Sequence, residues 1–426
     1  MSYQTTTGPQ RRTSPLDDDD LLIEILLRVP PQPSSLPRVS LVCKRWRRLV
    51  SNDPSFLRRH RAHHRKPPLL GFFEHRLFFP DHSCRLDVDD ILFNPIPEPP
   101  DRIPPQLFSM ERFPAGTGSA TRLLSCRHGR VLLLDTSGNF FVCDPVTGGH
   151  VRLVIPPEFT DLFINAAVLC AAGDEEGHVH GACHWSPFKV VLVAVFGDDG
   201  RPMACVYSSE TGLWGNIFRH DGPGTFFDSG GSSTLIDRAL YWEIDSYRSQ
   251  EAQDDGEPMA RAVLGFDLDR QTLTVIKGPP MDCSDSSQIV KAMDGGVGFA
   301  TLSYPTLHLR VWHWNVNVCQ DDVATWSLVK TVDLQSIFGL QEHIETLQVS
   351  ESRDFILGYD EDDGVNFINV HSCLFMLQHD SMQFKKHYER TERGHLSICY
   401  PFRSFYPAGD YSYLIGPSIV GETQCN

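Results

Sequence analysis

The side chains best suited to chemistry in this 426-residue sequence gather in one short stretch, GHVHGACHW, where His178, His180, Cys183 and His184 fall within seven residues. Imidazole and thiolate are the donors zinc prefers, and His178 and His180 share a face if the stretch is extended. A closed zinc site, however, needs four ligands, normally two pairs separated by a loop, and no second pair stands beside this one. The sequence therefore reads as having no metal and no cofactor. Asp360 to Gly364, DEDDG, has the carboxylate density of a calcium loop, but its glycine falls one position early and the terminal glutamate is missing, so it reads as a hairpin turn. Glu175-Glu176 and Asp198-Asp199 adjoin glycines, as solvated turns do. With no G-x-S-x-G elbow, P-loop or dinucleotide fingerprint, no catalytic residue is assigned and the chain is expected not to be an enzyme.

The charge is uneven. Overall it is −16, yet residues 1–66 carry +7 and residues 67–426 carry −23. An acidic body repels phosphate backbones and anionic lipid, so neither nucleic acid nor membrane is an expected partner. No run reaches the roughly 18 apolar residues that span a bilayer, and the first residues lack the apolar core of a secretory signal. Twelve cysteines occur without a C-x-x-C pair, as expected of buried thiols in the reducing cytosol or nucleus.

Residues 1–15 are polar and aperiodic and read as a disordered leader. From Leu16 the pattern is helical: Asp17 to Asp20 offer an N-cap and first-turn charge, and Leu22, Ile25, Leu26 and Val29 follow at i, i+3, i+4 and i+7. Leu21 and Leu27 widen that face, and Pro30, Pro31 and Pro33 stop the helix. A second short helix carries Leu36, Val39 and Val42; it leads to Cys43, Trp46, Leu49 and Val50, interleaved with Lys44, Arg45, Arg47 and Arg48. Asn52-Asp53-Pro54 restarts a helix anchored by Phe56 and Leu57, which ends in the basic run Arg58 to Lys66. A core of some fifty residues is marginal alone, so residues 16–66 form a domain expected to complete itself on a partner.

Residues 67–426 change texture to short apolar or alternating runs punctuated by Gly, Asp, Asn and Pro. RVLLLD, NFFVCD and HVRLVIPP make the clearest unit, over Gly129 to Pro157. Similar units recur at Lys189–Arg219, Ser233–Pro280, Gln288–Thr331 and Glu345–Tyr388. Repetition every 45–55 residues predicts a β-propeller of about six blades, the last built from Leu69–Phe79 with the C-terminal strands so that no sheet edge is left open. The predicted class is thus α+β and multidomain, a small three-helix head followed by an all-β propeller. A pair of β-sandwiches fits the strand content but not the repetition.

IEILLRVP, LVCKRWRRLV and DPSFLRRH, in that order and spacing, resemble the F-box, and the β-rich body is similar to the F-box-associated domains of plant F-box families. The resemblance implies the substrate-recognition subunit of an SCF (Skp–cullin–F-box) ubiquitin ligase, with a Skp-type adaptor and through it a cullin as partners, and an unknown protein substrate recruited by the C-terminal domain. It places the adaptor-binding face at Leu16, Leu22, Ile25, Leu26, Leu36, Val39, Val42, Cys43, Trp46 and Leu49. Trp46 is the favoured anchor, and Lys44, Arg45, Arg47 and Arg48 would steer an acidic adaptor. Where the family usually places proline after the first leucine, this chain has Asp17, which loosens the first turn. Two readings stay open for parts of this face: Leu22, Ile25 and Leu26 also fit an internal core, and Arg58 to Lys66 also fits a nuclear-localisation or nucleic-acid patch. For the whole chain the alternatives are a non-catalytic adaptor-binding scaffold, or a ligand-binding or enzymatic propeller whose head is a dimerisation element. The acidic loop Asp245 to Pro258, with Trp214 and Trp242 nearby, is a candidate substrate surface.

Overall fold

The computed structural model describes residues 16, 18–77, 90–114, 121–160, 162–172, 178–196, 201–220, 231–246, 260–282, 285–315, 325–339, 355–389 and 396–405. The expected leader, Glu175-Glu176, Asp198-Asp199 and most of the acidic loop lie outside them. Among the described residues no helix is long and apolar enough to cross a membrane.

The head is four short helices, α1 (Asp19–Leu27), α2 (Ser35–Ser40), α3 (Lys44–Asn52) and α4 (Pro54–His64). Asp18, one of the four aspartates, caps α1 by accepting from the amides of Asp20 and Leu21 at 2.9 and 3.2 Å. The prolines between α1 and α2 end the first helix as expected. Asp53 caps α4, whose first residue, Pro54, loses nothing at a position where its missing amide has no partner to lose. At the other end Arg65 closes the helix in the left-handed region at φ 58°. Leu22, Leu26, Leu27, Val50 and Phe56 form the head's buried core. His60 is buried with them and holds the carbonyl of Val29 at 2.9 Å, tying α4 to the end of α1.

Six antiparallel sheets follow, the expected propeller. Blade 1 runs through Arg122–Arg127, Arg130–Leu134, Asn139–Cys143 and His150–Val154; blade 2 through Phe163–Cys170, Phe188–Phe196 and Arg201–Ser208, with the short outer strands Leu213–Trp214 and Phe218–Arg219. Blade 3 is Thr234–Ile236, Ala239–Ser246, Ala260–Asp267 and Thr272–Lys277, and blade 4 is Ser286–Lys291, Val297–Leu302, His308–Asn315 and Thr325–Asp333. Blade 5 is Phe355–Asp360, Val365–Val370, Cys373–Gln378 and Phe384–Glu389. The sixth joins the two ends of the body: Leu69–Leu77 lies between Asp90–Pro95 and the last described strand, Leu396–Arg403. This pairing closes the ring, leaving as edges only the outermost strand of each blade. Between blades the faces pack as continuous apolar layers, such as Leu132, Phe140 and Val142 of blade 1 against Val190, Leu192 and Met203 of blade 2.

Strand boundaries differ from the sequence reading where a hairpin lacks glycine. NFINVHSCLFML is two strands, turned by His371 and Ser372 at φ 49° and 64°, and TLIDRALYWEI is two strands turned at Asp237, φ 51°. Asp and His are among the non-glycine residues that enter that region most readily, but they are also common in strands and helices, so without a glycine these turns carry little compositional signal. The innermost strands of blades 1 and 2, which the repeat units left out, belong to those blades.

Candidate functional site

Two places on the molecule gather functional side chains: the outer face of the head, and the end of the propeller on which the head is seated.

On the head, the structure divides the ten residues of the expected docking face. Leu22 and Leu26 are fully buried in the head's own core and leave that face: their spacing is the same whether a helix turns inward or outward, and here the inward reading holds. Leu36, Val39, Trp46 and Leu49 are half-buried along the margin of the core, and Cys43 is exposed. Leu16, Ile25 and Val42 are exposed, joined by Leu21 and Leu41, and these five keep 40–59% of their surface. Leu41 was missed because nothing in its spacing separates it from the turn that follows α2. Fully burying a Leu, Ile or Val is worth about 1.5–3 kcal/mol, so half-exposed chains offer roughly 4–7 kcal/mol together. That barely meets the cost of association, so the margin formed by Leu36, Val39, Trp46 and Leu49 has to contribute.

The cations of α3 are not all at liberty to steer a partner. Arg45 donates to Asp19 at 2.8 Å and to the carbonyl of Leu16 at 2.7 Å; Asp17, at which the sequence reading expected a loosened turn, lies outside the described residues. Arg47 donates to the carbonyl of Ser40 at 3.3 Å. In the run Arg58 to Lys66, Arg59 pairs with Glu24 at 2.8 Å and Lys66 with Asp363.

The head is seated where the innermost strands of the propeller end. Arg127, Asp237, Lys291, Asp360 and Arg403, each at or just past the end of such a strand, surround a cavity of about 250 Å³ at the mouth of the channel. Its charges are paired. Arg127 grips Glu361 at 2.7 and 2.9 Å, and Glu361 accepts from the amide of Leu235 at 2.7 Å. Lys291 meets Asp237 at 3.3 Å. Arg403 lies among Asp360, Asp362 and Asp363 and donates to the carbonyl of Pro67 at 3.1 Å. Burial pushes the Asp360 carboxyl up, against the pull of Arg403. At Asp363 burial acts the same way, but Lys66 and Arg403 outweigh it and hold that carboxyl below its usual range. DEDDG is thus a hairpin turn, as expected, whose carboxylates fasten the strand that closes the ring and the segment descending from the head. Ser34 of the head also donates its amide to Asp101 at 2.8 Å.

At the same end, the loop between the first two strands of blade 2 brings together Cys170, His178, His180 and Cys183, whose ligand atoms lie within 4.8 Å of one another. This corrects the sequence reading of GHVHGACHW. His184 turns away to Asp144, at 2.6 Å, and its place is taken by Cys170, eight residues before His178 at the end of a strand. Cys170 was missed because an isolated cysteine in an apolar strand has the signature of a core residue.

Among the described tryptophans, Trp185 is 89% exposed while Trp242 is buried. Trp214 packs on blade 2 and donates to the carbonyl of Val154 at 2.9 Å; Trp312, Trp314 and Trp326 pack between blades 3 and 4. Trp214 and Trp242 therefore serve the core, which corrects their placement beside a substrate surface.

Residues 18–58 match the F-box domain family, and residues 257–409 match the family described as F-box protein AT5G49610-like, beta-propeller. The chain carries an F-box at its head followed by a propeller of that kind, as plant-type F-box proteins do. No curated protein matches the sequence. Among solved structures, the Dos1 propeller is similar at 9% identity, covering 68% of this chain and 70% of that one with a TM-score of 0.36. The ulvan lyase of family PL25 is similar at 12% identity, 66% of each chain and 0.33, and Citrobacter koseri AztD at 10%, 67% and 76%, and 0.33. Scores this low carry no inference about activity.

Proposed function

We propose that this chain is the substrate-recognition subunit of an SCF ubiquitin ligase, acting in the cytosol or nucleus. The F-box would dock on a Skp-type adaptor and through it a cullin, and the propeller would hold a protein substrate. Transfer of ubiquitin then belongs to other subunits, and the chain contributes by raising the local concentration of substrate near the ubiquitin-carrying enzyme. The observation that carries the reading is the set of exposed apolar side chains Leu16, Leu21, Ile25, Leu41 and Val42, which lie within or beside the F-box match. A head that buries five hydrophobic side chains and leaves five others half-exposed is built to be finished by a partner.

The test is capture of a Skp-type adaptor and a cullin by the full chain, compared with the Ile25→Asp/Val42→Asp double variant. Wild type should retain both and the variant neither, with unchanged circular dichroism. Undiminished capture by the double variant would remove this face from the reading, and capture of adaptor without cullin would favour the scaffold.

A further inference from the structure

We propose that Cys170, His178, His180 and Cys183 bind one zinc ion, forming a structural Cys2His2 site that holds the loop of blade 2 on which the head is seated. With Zn–S near 2.3 Å and Zn–N near 2.0–2.1 Å, tetrahedral angles put sulfur and nitrogen ligands about 3.5 Å apart. The Sγ of Cys183 lies 3.3 Å from Nε2 of His178 and 3.7 Å from Nδ1 of His180, and the Sγ of Cys170 lies 3.4 Å from Nε2 of His178. All four donor atoms lie within 4.8 Å of one another, so closing on an ion asks for a shift of about 1 Å at the widest pair. A catalytic thiol–imidazole dyad would use one group of each kind. Here two thiols and two imidazoles converge, which is the donor set of a closed tetrahedral zinc site with no position left for water.

The surroundings are those of a fixed site. The His128 ring stacks on His180, centroids 3.8 Å apart and 15° from parallel, while its Nδ1 accepts the amide of Cys170 at 3.0 Å; one residue thus orients two ligands. Arg130 donates to the carbonyls of Cys183 and Ser186 and pins the far side of the loop. Between His180 and Cys183, Gly181 at φ +83° offers its carbonyl to Ser404 Oγ at 3.0 Å and to the Phe405 amide at 2.8 Å. A Cβ at Gly181 would meet Pro67 at 2.6 Å, so the loop backbone is in close contact with the segment that joins head to propeller. Phe405 in turn lines a cleft with Leu36, Leu57, His60 and Arg61 of the head. A metal that fixes this loop therefore fixes the seat of the F-box relative to the channel.

The experiment is metal analysis of the full chain, purified without chelator from zinc-supplemented cells. One zinc per chain is expected for wild type and for His184→Ala, whose imidazole belongs to Asp144, and background zinc for Cys170→Ser and His178→Ala. Stripped wild-type protein given Co²⁺ should show the intense visible bands of tetrahedral cobalt and a thiolate charge-transfer band, both absent in Cys170→Ser. Should the ligand variants fail to fold, alkylation of wild type decides the matter: Cys170 and Cys183 should resist the reagent until a chelator is added, with a fall in melting temperature on chelation. Wild type that binds no zinc or cobalt, or a Cys170→Ser/Cys183→Ser variant that keeps its metal, would overturn the site. The Ile25→Asp/Val42→Asp variant should retain one zinc per chain, so failure of adaptor docking and failure of the metal site are told apart.

Discussion

The head and the propeller solve the burial problem in opposite ways. The head shields Leu22, Leu26, Leu27, Val50 and Phe56 and leaves five other apolar side chains half-exposed, whereas the ring closes on itself by pairing Leu69–Leu77 with Leu396–Arg403, and its inter-blade layers are continuous. A closed ring buries its apolar blade faces against one another and keeps only short outer edges, so what it offers a partner comes mainly from loops and from exposed single residues such as Trp185. An open helical head offers its own unfinished core. Under the proposed function the difference teaches where specificity would reside: docking would be written into helical structure matched by the F-box family, and selection of substrate into loop connections that repeat patterns do not constrain.

The comparison breaks if the two parts unfold as one. Phe402, buried where the ring closes, packs on Phe73 and Phe108 with centroids 5.3 and 5.2 Å away. Phe402→Ala should cost about 3–5 kcal/mol and lower the melting of the propeller alone. Leu26→Ala should cost about 2–5 kcal/mol and melt the head first, leaving the β signal in circular dichroism intact. A single transition displaced equally by both substitutions would show one cooperative unit held together by Lys66, Pro67 and the Asp363 turn.

Within the head, the exposed Ile25 and the buried Leu26 should separate stability from docking. Ile25→Asp alone changes a solvent-facing residue and should move stability by less than about 0.5 kcal/mol, yet weaken adaptor binding by about a hundredfold if it lies at the centre of the interface. Leu26→Ala should show the reverse balance, with affinity lost only in proportion to unfolded head. Isothermal titration with a Skp-type adaptor, beside thermal melts, checks both.

Much of this division was readable from residues. Asp18 before an i, i+3, i+4 apolar series, the proline block after it and the Asp53-Pro54 start fixed the helices, and turns rich in Gly and Asn such as Thr136-Ser137-Gly138-Asn139 marked hairpins. What could not be read depends on facing and on distance. Periodicity shows that Leu22, Ile25 and Leu26 share a helix but not which of them points at Phe56. Cys170 and Cys183 are thirteen residues apart and meet only because a strand end and a loop return to the same point. His371-Ser372 turns a hairpin without the glycine or asparagine that usually marks such a turn, so its two strands read as one.

The smallest expected effect is the sharpest probe of the head alone, because one buried imidazole bridges two of its helices. Burial lowers the pKa of His60 to about 4, a bond to the Val29 carbonyl opposes the shift in part, and His64, His63 and Arg61 add to it. A histidine held neutral in the folded state contributes fully above its unfolded pKa of about 6.5, and the contribution is lost as pH falls from there toward 4. Between pH 7.5 and 5.5 the head should lose on the order of 1 kcal/mol from this group. The His60→Gln variant keeps a donor for Val29 without a titrating ring, and its head should melt at a temperature less dependent on pH over that interval. His75, buried in blade 6 and likewise lowered to about 4, first by burial and then by Arg122, provides the comparison. Its loss should appear in the propeller transition and persist in His60→Gln. If the pH dependence of the head transition is the same in wild type and variant, His60 is not its source, and His64, one turn along α4 and likewise lowered by burial, becomes the place to look.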